Sequence, residues 1–157
     1  MHASLNVLDF FMHITRYTDY SLRVLIYLAI NNQQLCTISE IADSYGISKN
    51  HLMKIVQKLN SQGYLLATRG KNGGIKLNRP VGEINIGSLV RDIEDKNNLV
   101  ECFGESNQCV ITPSCQLKNI FSQAQENFFK TLDAYSLEDI IGNNNKTLAE
   151  LLTIKIT

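Results

Sequence analysis

The amino-acid sequence predicts a mainly α-helical fold: a winged helix-turn-helix with a small β-hairpin wing, followed by a long dimerisation helix. Two runs with helical apolar spacing meet at Gly46, as in a helix-turn-helix. An Asn-Gly-Gly sequence at positions 72–74 separates two short apolar runs, which is typical of a β-hairpin. An amphipathic stripe then occupies residues 117–135, and its length favours one long helix.

Apolar spacing predicts three helices before the hairpin. The first extends from Thr18 to Ile30 and the second from Ile38 to Ser44. The glycine that follows the second helix can adopt positive φ and so makes a tight turn. The third helix extends from Lys49 to about Gln62, with Ser48 as its N-cap and Gly63 as its end.

Two strands, Tyr64–Thr68 and Ile75–Asn78, form the predicted wing. Ile86–Glu94 is expected to form a fourth helix packed against the winged module. A hairpin directly after a helix-turn-helix is what makes such a module winged. Near the carboxyl end, residues 136–139 resemble a capping box and predict a short final helix, whereas residues 143–145 are expected to be a polar loop.

The long helix is predicted to begin with Thr112 as its N-cap and Pro113 at its first position. Apolar residues recur along it at spacings near three and four: Leu117, Ile120, Phe121, Ala124, Phe128, Leu132 and Tyr135. We expect this stripe to pack against a second copy of the chain and so to form a homodimer. Packing of the stripe within one chain is the alternative.

The distribution of charge indicates a partner that carries phosphate. Residues 1–82 contain nine basic and four acidic residues, net +5, whereas residues 83–157 contain six basic and eleven acidic residues, net −5. Between Ser44 and Gly82 there are seven basic residues and no acidic one. Such a local basic surface on a helix-turn-helix favours binding to double-stranded DNA.

The predicted DNA contacts come from the third helix and the wing. The first residues of the second helix of such a motif enter the major groove, where amides pair with adenine and lysines with guanine or phosphate. In the helix the candidates are Ser48, Lys49, Asn50, His51, Lys54 and Gln57. In the wing they are Arg69, Lys71, Asn72, Gly73 and Gly74.

Three cysteines, Cys102, Cys109 and Cys115, lie within fourteen residues after the basic module. Thiolates bind zinc, copper(I) and iron–sulfur clusters, and a fourth ligand would have to come from elsewhere in the protein. The wide spacing lacks the short Cys-x₂₋₄-Cys unit of most zinc sites, which favours a cluster, with structural zinc or redox-responsive thiols as alternatives. Cys36 stands apart and is predicted to be a packing residue.

Four stretches together resemble the Rrf-type family of winged-helix regulators, in particular its nitric-oxide-responsive repressors. They are Tyr17-Thr18-Asp19-Tyr20-Ser21-Leu22-Arg23, Gly46-Ile47-Ser48-Lys49-Asn50-His51-Leu52, Arg69-Gly70-Lys71-Asn72-Gly73-Gly74-Ile75, and the three cysteines with Ile111-Thr112-Pro113. The resemblance implies a homodimeric repressor that binds a palindromic operator and is released by nitric oxide. It also implies an iron–sulfur cluster, [2Fe-2S] or [4Fe-4S], on Cys102, Cys109 and Cys115, with Asp19 of the partner subunit as fourth ligand.

We therefore expect four segments: an extension of uncertain order (1–11), the winged helix-turn-helix (12–82), a connecting helix with the cysteine loop (83–116), and the dimerisation helix with the C-terminal helices (117–157). No motif of an enzyme is present, since the sequence has neither a paired carboxylate site nor a nucleophile–histidine pattern. No apolar run approaches the roughly 18 residues that span a bilayer, and no signal peptide is evident. A cytoplasmic protein without membrane association is expected.

Overall fold

Helices and one small sheet follow one another along residues 14–31, 34–94 and 98–154, the part of the chain that this computed structural model describes. The helices are α1 (Arg16–Ile30), α2 (Ile38–Tyr45), α3 (Lys49–Ser61), α4 (Ile86–Glu94), α5 (Gln116–Asp133), α6 (Leu137–Ile141) and α7 (Asn145–Leu151). The strands β1 (Leu65–Thr68) and β2 (Gly74–Leu77) pair antiparallel. The predicted N-terminal extension, residues 1–11, lies outside the described residues.

Local hydrogen bonds explain where the helices of the helix-turn-helix begin and end. The Thr37 hydroxyl accepts from the Glu40 amide and the Glu40 carboxylate accepts from the Thr37 amide, which is a complete capping box at α2. Gly46 ends α2 in the left-handed region, with φ of 63° and ψ of 35°. Ser48 then caps α3, because its hydroxyl accepts from the His51 amide. The predicted turn and the predicted Ser48 cap are confirmed.

The wing is a short hairpin that is attached to the segment before α2. Leu65 pairs with Leu77 and Thr68 with Gly74, while Ile75 faces the core. Cys36 forms an isolated bridge with Ile75, with N–O distances of 3.0 and 2.7 Å. This bridge adds one residue pair to the sheet edge and fixes the wing relative to α2.

One hydrophobic core joins the winged module to the C-terminal helices. Helix α1 packs against α3, α4, α6, α7 and β2. The largest fully buried side chains come from these elements and their neighbours: Leu25, Leu28, Ile41, Leu52, Ile55, Leu59, Leu65, Ile84, Leu89 and Leu137. Because α6 contributes Leu137 to the same core as α1, the C-terminal end of the chain stabilises the winged module.

The carboxyl end of α5 is fixed to α4 by a charged contact. Arg91 Nη1 and Nη2 lie 2.6 and 2.7 Å from the two carboxylate oxygens of Asp133, and these hydrogen bonds lower the pKa of that carboxyl group. The Arg91 guanidinium also lies 4.4 Å from the centre of the Phe129 ring. A Cβ at Gly87 would lie 2.0 Å from Asp133 Oδ1, so glycine is needed for this close approach.

The amino half of α5 is not covered by any other part of residues 14–31, 34–94 and 98–154. Leu117 and Ile120 are 57% and 58% exposed, and no residue of α5 is buried. Leu132, at the other end of the predicted stripe, packs against the core. The stripe therefore has two parts, of which only the C-terminal part is covered within one chain.

Two predictions for the carboxyl half are wrong. The long helix begins at Gln116 rather than at Pro113, because residues Thr112–Ser114 form a 3₁₀ turn and the Thr112 hydroxyl donates to the Cys109 carbonyl, 2.8 Å away. Cys115 is the N-cap of α5 and not a residue of its first turn. The predicted polar loop at 143–145 is a 3₁₀ turn that leads into α7, since burial of Ala149 outweighs the weak helix propensity of asparagine.

None of the helices that the structure describes is long and apolar enough to cross a bilayer.

The turn of the helix-turn-helix is expected to depend on the backbone of Gly46. A Cβ there meets nothing within 4 Å, so Gly46→Ala tests only the left-handed conformation. We expect a loss of about 1 kcal/mol in the free energy of unfolding, measured in urea. Gly46→Asn, a residue that tolerates this region, should lose less; equal stability of the alanine variant would contradict the turn.

Candidate nucleic-acid interface and cysteine loop

Helix α3 has one buried face and one face that is open to solvent. Leu52, Ile55, Val56 and Leu59 face the core. On the other face the predicted contacts Lys49, Asn50, Lys54 and Gln57 are all exposed. Ser48 is exposed as well, but its hydroxyl is engaged in the N-cap of the helix.

An open groove of about 930 Å³ lies between α3, the wing and the start of α2. It brings together six of the predicted contact residues: Asn50, Lys54, Gln57, Arg69, Gly73 and Gly74. Lys71 and Asn72 are exposed at the tip of the wing, outside the lining of the groove. The groove therefore joins amide donors and acceptors on the helix to a basic side chain on the wing.

The two wing glycines have a structural reason as well. A Cβ at Gly73 would lie 2.2 Å from the Thr68 carbonyl oxygen, and one at Gly74 would lie 2.9 Å from the Cys36 carbonyl oxygen. The hairpin thus requires both glycines whether or not they approach a ligand.

His51 differs from the other candidates because it is half-buried. Its ring lies edge-on to Tyr20 of α1, with ring centroids 5.1 Å apart. A second contact joins the same helices, since the Tyr17 hydroxyl donates to the Lys54 carbonyl over 3.0 Å. His51 therefore supports the position of α3 on α1 rather than pointing freely into the groove.

Among the lining residues of the groove that sequence reasoning missed are Ser39, Met53 and Thr68. Ser39 lies at the start of α2, the helix that crosses the DNA backbone in such motifs. Met53 was missed because an exposed methionine fits neither an inward apolar stripe nor a polar face, although it lies one turn after Asn50. Thr68 is the last residue of β1, directly before the basic turn.

Asp19 lies on the outer side of α1, next to the contacts that support α3. One of its carboxylate oxygens lies 2.8 Å from Arg23 Nη2, and both side chains are nearly half exposed. The Arg23 guanidinium in turn lies 5.4 Å from the centre of the Tyr20 ring and 5.8 Å from that of Tyr45. Burial raises the pKa of Tyr45 to about 12, so its ring carries no charge at neutral pH.

The three clustered cysteines lie on a loop of 3₁₀ turns between α4 and α5. Cys109 is exposed, whereas Cys102 and Cys115 are half-buried, and all three thiols are free. The loop is ordered by side-chain hydrogen bonds: Glu101 accepts from the Gln108 amide over 2.9 Å, and Asn107 accepts from the Cys109 amide over 3.0 Å.

The structure does not gather these thiols into a formed ligand set. Within residues 14–31, 34–94 and 98–154, no three Cys, His, Asp or Glu side chains are grouped so that they could hold a metal ion. Their donor chemistry nevertheless fits a soft metal, since three accessible thiols lie on one loop. Assembly of a site would require movement of the loop or a ligand from another chain.

Cys36 is a different kind of cysteine. Its side chain is fully buried and its sulfur accepts a hydrogen bond from Asn31 Nδ2 over 3.1 Å. Burial raises the pKa of the Cys36 thiol, which keeps it protonated and unreactive. The prediction that Cys36 is a packing residue is confirmed.

Comparison with known proteins identifies the class of protein. A family model described as Rrf2, iron-dependent transcriptional regulator, matches residues 14–143. The chain belongs to the Rrf2 family. The predicted family is thus confirmed, and the chain is a transcriptional regulator rather than an enzyme.

Two relatives and two solved structures illustrate the likeness. The chain is 52% identical over 136 residues to the HTH-type transcriptional regulator NsrR of Bacillus licheniformis, which covers 85% of this chain and 95% of that one. Its identity to the regulator of the same name from Bacillus subtilis is 46% over 146 residues, 92% of this chain and 99% of that one. The structure of T. potens IscR superposes with a TM-score of 0.69, at 18% identity over 87% of this chain and 90% of that one.

The second structure is Staphylococcus aureus CymR in its oxidized form, with a TM-score of 0.65 at 24% identity, over 83% of this chain and 97% of that one. At these identities the two structures establish the fold alone. The predicted fold class, a winged helix-turn-helix with a long additional helix, is confirmed by both.

The burial of the four cysteines predicts a pattern of chemical labelling. Iodoacetamide should alkylate Cys102, Cys109 and Cys115 of the reduced, metal-free protein, with Cys109 first, because alkylation requires an accessible thiolate. Cys36 should react only after denaturation in urea, and mass spectrometry of peptides measures each site. Labelling of native Cys36 as fast as Cys109 would contradict its buried position.

Proposed function

We propose that this chain is a cytoplasmic DNA-binding repressor that senses nitric oxide through an iron–sulfur cluster. The observation that carries the proposal is the loop with three accessible thiols, on a winged helix-turn-helix whose sequence is about half identical to regulators named NsrR. The three thiols lie outside the lining of the groove between α3 and the wing, and they suit a soft metal centre that changes with the chemical state of the cell.

The DNA-binding part of the proposal rests on the groove between α3 and the wing. The amides of Asn50 and Gln57 have the donor and acceptor pattern that pairs with adenine, and Lys54 suits guanine or phosphate. On the wing, Arg69, Lys71 and the Asn72 amide suit phosphate and groove contacts. Ser48 and Lys49 begin α3, where the helix would enter the major groove.

Dimerisation is proposed through the exposed amino half of α5. An unpartnered apolar stripe on an otherwise polar helix suits the same stripe of a second copy, related by a two-fold axis. Two recognition helices would then meet a palindromic operator of double-stranded DNA with half-sites about one helical turn apart. In this division, residues 12–82 bind DNA, 83–116 carry the connecting helix and the cysteine loop, and 117–157 contain the dimerisation helix and the C-terminal helices.

For the sensor, Cys102, Cys109 and Cys115 are the proposed ligands of a [2Fe-2S] or [4Fe-4S] cluster. Asp19 of the partner subunit is the proposed fourth ligand, a harder oxygen donor beside three thiolates. When bound, such a cluster supplies iron that reacts with nitric oxide.

The chain's own contacts suggest how Asp19 is linked to the DNA-binding face. Asp19 holds Arg23, Arg23 lies against Tyr20, and Tyr20 supports His51 at the start of α3. If the Asp19 carboxylate binds another partner in place of Arg23, the Arg23 guanidinium becomes free to reorient. It would do so beside the Tyr20 ring, which helps to position α3. The change requires no large movement of α1.

Redox-responsive thiols without a metal, or with structural zinc, form the second candidate. The observation that favours it is that the thiols are not gathered into a ligand set in the described residues. Anaerobic purification separates the candidates: a coloured protein with iron and sulfide supports the cluster, whereas a colourless protein with zinc or without metal supports the alternative.

Two kinds of substitution should separate affinity from base preference. Arg69→Ala or Lys71→Ala should weaken binding to all duplexes and lower the salt slope by about 1, because phosphate contacts release counterions. Asn50→Ala should instead remove about 1–3 kcal/mol of discrimination between bases at one position of the operator. Fluorescence anisotropy at several salt concentrations measures both, with Lys146→Ala in α7 as the control. Unchanged affinity in all three variants would refute the interface.

Charge within the stripe should separate the subunits. Phe121→Asp should convert the dimer to monomers, because a carboxylate cannot be buried in an apolar interface without a partner. Gln123→Asp introduces the same side chain on the opposite face of α5 and should leave the dimer intact. Sedimentation velocity measures the mass of each variant, and a Phe121→Asp dimer would remove this stripe from the interface.

Each loop cysteine should be needed for the metal centre. Replacing Cys102, Cys109 or Cys115 with Ser should abolish stoichiometric iron and sulfide, since a serine hydroxyl is a poor ligand for a soft centre. Cys36→Ala is the matched control and should retain both. Asp19→Ala should retain a cluster of altered stability. Full iron and sulfide content in any of the three loop variants would exclude that residue as a ligand.

A further inference from the structure

An exposed apolar side chain lies in the middle of the polar face of α3. Met53 is 56% exposed and lines the same groove as Asn50, Lys54 and Gln57. Helix α3 is described over its full length, and Met53 is its one exposed large apolar residue. The other large apolar side chains of this helix face the core.

Position rather than exposure makes Met53 informative. Single exposed apolar residues are common on protein surfaces and need no explanation. Met53, however, lies one helical turn after Asn50, on the face that would lie in the major groove. The edges of the bases there are polar except for one feature, the 5-methyl group of thymine.

We infer, on the basis of the DNA-binding function proposed above, that Met53 is a specificity-determining residue that contacts a thymine methyl group in each half-site of the operator. The unbranched thioether side chain is flexible enough to adapt to a methyl group beside polar contacts. Its neighbours Asn50, Lys54 and Gln57 form hydrogen bonds to base edges or phosphate and do not detect a methyl group. Met53 thus adds a preference for thymine over cytosine that the polar residues do not supply.

The test removes the methyl group from the DNA and the methionine from the protein in turn. An operator duplex is first selected from random duplexes with the full-length wild-type dimer. Deoxyuridine then replaces each thymine, one pair of symmetric positions at a time, and the dissociation constant is measured by fluorescence anisotropy. Uracil keeps every hydrogen-bonding group of thymine and lacks only the methyl group.

At one thymine position, uracil should weaken wild-type binding about fourfold per half-site, the effect of exposing one methyl group, and so about 16-fold in both. For Met53→Ala and Met53→Gln, the same uracil substitution should change the dissociation constant less than about twofold. Met53→Leu, whose side chain stays apolar, should lose affinity on uracil substitution as the wild type does. Leu66→Ala is the control, because Leu66 is 45% exposed on β1 and does not line the groove. It should keep the wild-type response.

Two results would overturn the inference: wild-type binding that no uracil substitution weakens, or an undiminished response in Met53→Ala. Two variants are used so that a failure of one to fold, seen by circular dichroism, leaves the other to decide. If the wild-type protein selects no sequence at all, the proposed DNA-binding function itself fails. Loss of the methyl response alone leaves that function standing.

Discussion

The packing of α1 is the constraint on which the rest of the structure depends. This helix is buried against the recognition helix α3, the wing strand β2, and the C-terminal helices α6 and α7. Its buried polar groups are satisfied, since Ser21 donates to the Tyr17 carbonyl over 2.7 Å and Thr18 donates to Glu94. Because α3, α4, α6, α7 and β2 all pack against α1, a change in its side-chain contacts would reach the exposed face of α3.

Glu94 connects α1 to the segment that leads to the cysteines. At the end of α4, its carboxylate accepts from the Thr15 amide and hydroxyl as well as from Thr18. The chain then continues to the loop that begins before Cys102. Movement of the loop would therefore act on the amino end of α1 at two places: through Glu94 at Thr15 and Thr18 and, in the proposed dimer, through Asp19 in the first turn.

The sequence predicted the elements whose bounds depend on local signals, and it failed where tertiary contacts determine the bounds of a helix. Helix α4 has the predicted bounds, and Gly46 and Ser48 have the predicted conformation and cap, because a left-handed glycine and a capping hydroxyl act over a few residues. The start of α5 was misplaced because a Thr112 hydroxyl can cap a helix by accepting from a backbone amide, whereas in the folded loop it accepts from Asn107 Nδ2 and donates to the Cys109 carbonyl. Helix α7 was missed because burial of Ala149 stabilises it.

Some features of the candidate site were likewise predictable from the sequence, and others depend on the fold. The exposed face of α3 follows directly from its apolar period, so Asn50 and Gln57 were predictable, whereas the contact of His51 with Tyr20 depends on how α1 crosses α3. The spacing of the three cysteines indicates soft ligands but does not give their arrangement, which depends on a loop without periodicity. The pairing of Asp19 with Arg23 is a regular i, i+4 contact, yet its continuation onto Tyr45 is visible only in the fold.

The central claim, that the state of the cysteine loop controls the recognition helices, is tested most directly by operator affinity in three states of one protein. Anaerobic fluorescence anisotropy would compare the cluster-loaded, nitric-oxide-treated and metal-free dimer on the same duplex at fixed salt. The account predicts that the loaded dimer binds at least about tenfold more tightly than the other two, a typical coupling between two sites. Equal affinity in all three states would contradict it.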